Sequence, residues 1–186
     1  MKVLLGVSNK HIHLNKEDYD KLFGNIKMEK YKDLKQPGMY AANLFVDIKT
    51  EKNKLEKLRI VGPIRDYTQV ELSKTDCYKL GINPPVRNSG DLEGASIVTI
   101  IGPNGEVTKP CAIIAARHIH VTKEMREKYN LNTDIVKVKI LGEKPTILEN
   151  VYIKESKEAF LELHLDTDDA NATLSKTGDM IEILMD

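Results

Sequence analysis

Short apolar runs separated by turn residues dominate the chain. Segments 2–7, 43–48, 68–72, 96–101, 112–116, 135–140, 160–165 and 180–184 are rich in Val, Ile and Leu and predict strands. Many are bounded by turn residues: Gly62-Pro63, Pro84-Pro85, Ser89-Gly90, Gly102 to Gly105, Gly142 and Gly178. The run 135–140 alternates apolar and charged positions over its second half, the mark of a half-buried strand. Helices are fewer and short, over 16–23, 73–80, 123–129 and 168–174. Asn15 and Thr122 supply N-cap oxygens, with acids in the first turn behind them. The mixed-charge stretch 51–58 predicts a solvated surface segment. Many short strands with turns between them favour barrels or sandwiches.

Composition narrows the class. The chain has 186 residues, 41% hydrophobic and 30% charged, enough to build a core and too apolar for disorder. Lys+Arg and Asp+Glu are equal at 28 each, which argues against nucleic acid or an anionic membrane as partner, since both demand a basic surplus. The longest apolar run, 111–116, is far short of the ~20 residues a spanning helix needs. The N-terminal apolar stretch turns polar at Ser8, too early for a signal peptide. Cys77 and Cys111 form no CxxC pair and read as small core residues. A cytosolic globular protein is expected.

The chemistry lies in a repeat. Lys10-His-Ile-His-Leu-Asn-Lys-Glu17 recurs as Arg117-His-Ile-His-Val-Thr-Lys-Glu124, and each copy leads into a helical stretch. This predicts two related small β domains, each carrying one HxH pair at the same structural place. Residues i and i+2 of a strand share a face, so His11 with His13, and His118 with His120, can each close on one metal ion. The fifth histidine, His164, shares a strand face with Glu162, opposite Leu161, Leu163 and Leu165. Using four of five histidines in paired HxH motifs favours metal ligation over ordinary surface placement. Glu17 and Glu124 fit the HxHx3E spacing of a cupin, but they fall at helix starts, where acids suit the helix dipole.

A second constellation spans 62–73. Arg65 offers a two-pronged fork for phosphate or carboxylate, and Glu71 an oxygen ligand, although on residue type alone each is more often a surface ion-pair partner. Walker, GxGxxG and GxSxG motifs are all missing. Asp166, Asp168 and Asp169 read as cap and first-turn acids rather than ligands.

Taken in order, six motifs resemble the phosphate propanoyltransferase family, the metal-dependent phosphotransacylases. They are Val7-Ser-Asn-Lys-His-Ile-His-Leu14, Gln36-Pro-Gly-Met-Tyr-Ala-Ala42, the 62–73 segment, Pro84-Pro-Val-Arg-Asn-Ser-Gly-Asp-Leu92, Ala116-Arg-His-Ile-His-Val121 and 164–172. The resemblance implies a mainly β fold of two similar small β-barrels capped by short helices, interleaved in sequence, with the active site between them. Residues 1–9 would join 116–186 in one barrel, 10–23 and 44–115 would form the other, and 24–43 would be an excursion covering the site.

The same resemblance implies two zinc ions per chain. His11 and His13 match the ligands of one, and His118, His120, His164 and Glu71 those of the other. Arg65 matches the phosphate-holding catalytic arginine, and Arg87 is a candidate CoA contact. The implied activity is acyl transfer between a short-chain acyl-CoA (propanoyl or acetyl) and phosphate, by direct attack. The substrates would then be acyl-CoA, CoA, phosphate and acyl phosphate, and a homodimer is open as the assembly. A zinc-dependent acyl-CoA hydrolase and a non-catalytic metal-binding protein are the rival readings. The chain starts directly on its first strand, without the family's microcompartment-targeting extension, so free cytosol is expected. Lys10 stands where the second copy has Arg117.

Overall fold

A computed structural model describes residues 1–184. The chain divides into two compact units, Lys10–Ala115, and Met1–Asn9 with the chain from Ala116 onward. Among the described residues no helix is long and apolar enough to cross a membrane.

The Lys10–Ala115 unit runs β2 (His11–His13), α1 (Lys16–Phe23), β3 (Lys30–Asp33), β4 (Tyr40–Lys49), β5 (Lys54–Gly62), β6 (Gln69–Glu71), α2 (Lys74–Leu80), β7 (Val86–Arg87), β8 (Ser96–Ile101) and β9 (Glu106–Ala115). Six of these strands close a barrel in the order β4-β5-β2-β6-β9-β8, because β8 pairs with both β9 and β4. Exposed β3 adds to the edge at β4, and β7 pairs with β9. Ile12, Ile48, Leu58, Ile60, Val70 and Ile100 fill the interior, and Leu22, Phe23, Cys77 and Leu80 bring α1 and α2 into the same core. Asn15 and Ser73 cap these helices by accepting from the backbone N–H three residues on. Gly81 ends α2 in the left-handed region (φ 69°), where a side chain would be strained.

In the other unit, β1 (Lys2–Ser8), β10 (His118–Val121), β11 (Ile135–Ile140), β12 (Thr146–Glu155), β13 (Glu162–Asp166) and β14 (Met180–Leu184) close a second barrel in the order β1-β13-β10-β12-β11-β14. Helices α3 (Lys123–Lys128) and α4 (Thr167–Thr173) follow β10 and β13, capped by Thr122 and Asp166. Leu5, Ile119, Val138, Val151, Leu163 and Ile181 form its core.

The two rings have one topology. Each HxH strand lies parallel to one neighbour (β5 or β12) and antiparallel to the other (β6 or β13). The strand that completes each ring comes from just ahead of the other ring's HxH: β1 precedes β2 but joins the second barrel, and β9 precedes β10 but joins the first. First strands are exchanged between the two copies of the repeat.

The 51–58 stretch is solvated at six of its eight residues, as expected, but it also holds the start of β5, where Leu55 is half-buried and Leu58 buried. Its register shifts between Val46 and Ile48, with Lys57 at φ 57° and its N–H donated to Asp47 Oδ1 (2.9 Å). The bulge inserts one residue, so Leu55 and Leu58 both turn inward although three apart. Leu58 is wholly buried, so Leu58→Ala should destabilise the protein by about 2–5 kcal/mol in a denaturant titration. A solvated leucine would cost almost nothing.

Candidate functional site

Alternation dictates where the histidines go. Ile12 and Ile119 point into the barrels, so His11 and His13, and His118 and His120, leave on the opposite face. Cross-strand register then completes two squares of side chains. In the first unit His11 stands opposite Glu71 and His13 opposite Gln69. In the second, His118 stands opposite His164 and His120 opposite Glu162.

Each square holds three atoms able to ligate one cation. The donor atoms of His11, His13 and Glu71 lie within 4.8 Å of one another, as do those of His118, His120 and His164. Glu71 reaches 3.5 Å from His11 Nε2 and 3.9 Å from His13 Nε2. The resemblance assigned Glu71 to the metal of the three histidines; within its own unit it stands with His11 and His13.

Protonation suits ligation. His13 Nδ1 lies 3.0 Å from the Val61 carbonyl, which only accepts, so the proton is on Nδ1 and the Nε2 lone pair faces Glu71. Burial lowers the His13 pKa to about 3; the nearby His11 and Arg65 charges push the same way, and Glu71 and the Val61 hydrogen bond oppose them. The imidazole is therefore neutral at physiological pH, the form that binds metal. His118 donates from Nδ1 to the Ala116 carbonyl (2.8 Å), and its Nε2 converges on His120 Nε2 at 3.1 Å. With Nδ1 of His13 and His118 anchored on backbone carbonyls, three imidazoles in one group and two with the Glu71 carboxylate in the other make donor sets that fit a borderline-soft divalent ion.

Beside the first square lies a constellation built around Arg65. Arg65 Nη1 donates to the Tyr67 hydroxyl (2.7 Å) and Ser89 Oγ (3.3 Å), and Nη2 lies 3.5 Å from Met39 Sδ. Buried Gln69 ties this group to the square, donating from Nε2 to Glu71 Oε1 (2.7 Å) and Ser89 Oγ (3.0 Å) and accepting from Gly90 N–H (2.7 Å). Arg87 braces the same loop: its Nε donates to the Glu93 carbonyl (3.0 Å) and lies 3.4 Å from Asp91 Oδ2.

The basic residues preceding the HxH pairs do the same job in both units. Arg117 forks onto Asp169, in the first turn of α4, with two bonds of 2.7 Å. Lys10 reaches Asp76, at the same place in α2, at 3.4 Å. Each ties an HxH strand to the helix that follows the neighbouring ligand strand. Glu17 and Glu124 sit in the first turns of α1 and α3, and Asp166, Asp168 and Asp169 at the start of α4. Cys77 and Cys111 are buried, and burial pushes the Cys111 thiol up to about 12, the opposite of what a nucleophile needs.

Sequence reasoning missed Gln69, Glu162 and Arg59. The first two occupy square corners two residues before Glu71 and His164, a spacing that strand alternation makes readable once those ligands are fixed. Arg59 is the register partner of His11 across β5 and leaves on its face. Its guanidinium lies over the Phe45 ring (4.2 Å) and the Tyr31 ring (4.8 Å), and its Nη1 donates to the Ala42 carbonyl (2.7 Å). No motif marks it, because it lies in the stretch whose strand character the bulge hides.

A family model described as phosphate propanoyltransferase matches residues 4–176. A phosphate propanoyltransferase of Thermotoga maritima is 46% identical over 186 residues, covering 98% of this chain and 89% of the relative. Relatives of the same name from Priestia megaterium and Rhodopseudomonas palustris are 47% identical over 180 residues (95% and 83% covered) and 43% identical over 185 (98% and 82%).

Proposed function

The chain belongs to the phosphate propanoyltransferase family, and from that premise we propose that it is an acyltransferase converting propanoyl-CoA and phosphate to propanoyl phosphate and CoA, reversibly. The observation that carries the reading is Arg65, whose fork is aimed by Tyr67 and Ser89 next to the His11, His13 and Glu71 square.

In the proposed reaction a phosphate oxygen bonds to the thioester carbonyl carbon, the C–S bond breaks, and the electron pair leaves on the CoA sulfur. Phosphate is a poor nucleophile unless held in line, and Arg65 supplies that orientation with a bidentate, charge-assisted grip. Ser89 and the Tyr67 hydroxyl fix the guanidinium, so little reorganisation is needed when phosphate arrives. Met39, from the 24–43 segment, contacts Arg65 and supports a covering role for that segment. Zinc is the proposed metal, held by His11, His13 and Glu71 and by His118, His120 and His164; when bound it supplies Lewis-acid charge for the carbonyl oxygen and a soft partner for thiolate. The deeply buried cysteines support transfer in a ternary complex, without an acyl-cysteine.

CoA brings an adenine ring and several phosphates. Arg59, flanked by exposed Tyr31 and Phe45 on the His11 face, offers both a stacking surface and a cation, while Arg87 is occupied in bracing its loop. Arg59→Ala is expected to raise KM for acyl-CoA about tenfold with a much smaller change in kcat, the worth of one charge-assisted contact. Initial rates at varied acyl-CoA would check it.

The decisive experiment gives zinc-loaded protein propanoyl-CoA or acetyl-CoA, with and without phosphate, and records free thiol and acyl phosphate. Phosphate-dependent thiol release that yields acyl phosphate is expected. Equal release without phosphate would make the protein a hydrolase, and no release would leave a metal-binding protein.

A further inference from the structure

The two squares match corner for corner. His11 corresponds to His118, His13 to His120, Glu71 to His164, and Gln69 to Glu162. In the first square the fourth corner is an amide. Gln69 donates to the carboxylate it stands beside (2.7 Å), as the hydrogen-bond complement of that ligand. In the second square the ligand at the matching corner is an imidazole, whose complement is an acceptor. Glu162 supplies it: Oε2 lies 3.0 Å from His164 Nε2. Ligand and support have changed together, from carboxylate with amide to imidazole with carboxylate.

The surroundings are built for this carboxylate. Glu162 is only 4% exposed, an uncommon place for an acid without a specific partner. Residue 6 on neighbouring β1 is glycine, and a Cβ there would lie 2.8 Å from both the carboxyl carbon and Oε2 of Glu162. Gly6 leaves the niche that the carboxylate fills.

We propose that Glu162 is the positioning residue of the three-histidine centre: it accepts a hydrogen bond from the Nε2–H of His164 and leaves Nδ1 of that ring to face the ion. A carboxylate behind a ligating imidazole fixes its tautomer and ring angle and raises its basicity. The inference rests on the metal reading above and goes beyond it by naming a residue outside the ligand set.

The test uses the full chain carrying His11→Ala and His13→Ala, so that the three-histidine group is read alone. Metal affinity is measured by competition with a chromophoric chelator, and coordination by the visible spectrum of the Co(II)-substituted protein. Glu162→Gln is expected to weaken binding about 10–100-fold, the usual loss for such a partner, with the Co(II) ligand-field bands unchanged. Gly6→Ala, which crowds the same carboxylate, should shift affinity in the same direction. Circular dichroism and thermal unfolding of the metal-free variants confirm that the fold is kept; should Gly6→Ala fail to fold, Glu162→Gln, nearly isosteric, carries the test. Unchanged affinity in a folded Glu162→Gln would overturn the proposal. So would altered Co(II) bands, which would make Glu162 a direct ligand. A parent protein that binds no metal would remove the underlying metal reading instead, so the two failures are distinguishable.

Discussion

Removing the metal with a chelator, or one imidazole by His120→Ala, is expected to abolish phosphate-dependent CoA release while leaving the protein folded. The proposed ligands sit on the outer faces of the barrels, and the cores are built from the alternate residues, Ile12 in one and Ile119 and Leu163 in the other. Taking away His120 therefore opens no core cavity. It reduces a three-donor group to two, and the loss of rate should exceed the ~100-fold upper range for losing a mere supporting partner. Activity assays beside thermal unfolding separate the two effects. Zinc should restore the chelated native protein and fail to restore His120→Ala. Loss of fold together with activity would show the site to be structural.

The second large effect falls on Arg65. Arg65→Ala should lower kcat/KM for phosphate by about 10²–10³-fold, the range for removing one preorganised group aimed at the reacting charge. Arg65→Lys should recover only part, because an ammonium keeps the charge but cannot present two parallel N–H groups. Any phosphate-independent thiol release should be unaffected. That contrast, read in one set of initial-rate measurements, distinguishes a transferase that needs anchored phosphate from a hydrolase that does not. Tyr67→Phe removes a hydroxyl that orients the guanidinium (2.7 Å) without touching its charge, so its loss should be the smaller.

Much of this was legible in the chain. The helix starts at Lys16 and Lys123 follow from Asn15 and Thr122, whose side-chain oxygens meet the N–H three residues on; Ser73, read as the first residue of its helix, proves to be the cap of α2. The HxH repeat marked the matching strands β2 and β10, since period-2 alternation puts both imidazoles on one face. What failed was periodicity at the bulges. In β5 the inward positions pass from Leu55 to Leu58, and in β12 from Leu148 to Val151, where Asn150 adopts φ 55°. An extra residue flips the phase, so neither strand reads as one alternating run. Arg59 was hidden with β5. Gln69 and Glu162 went unassigned for another reason: their task is set by the residue beside them, and only the register reveals the pair.

The exchange of first strands also has a consequence in time. The ring from β2 to β9 is a continuous stretch of chain and can close once residue 115 has been synthesised. Strand β1 has no such neighbour: its partners are β13 and β14, beginning at Glu162 and Met180. At ribosomal rates of about 5–20 residues per second, β1 waits roughly 8–30 s with both edges and its apolar Val3 and Leu5 uncovered. During that interval the nascent chain presents an unpaired strand to its surroundings, guarded at one end by charged Lys2. The fold thus makes a strand synthesised ahead of both HxH motifs one of the last to find its place, and recovery of the protein should depend on what holds that strand apart in the meantime.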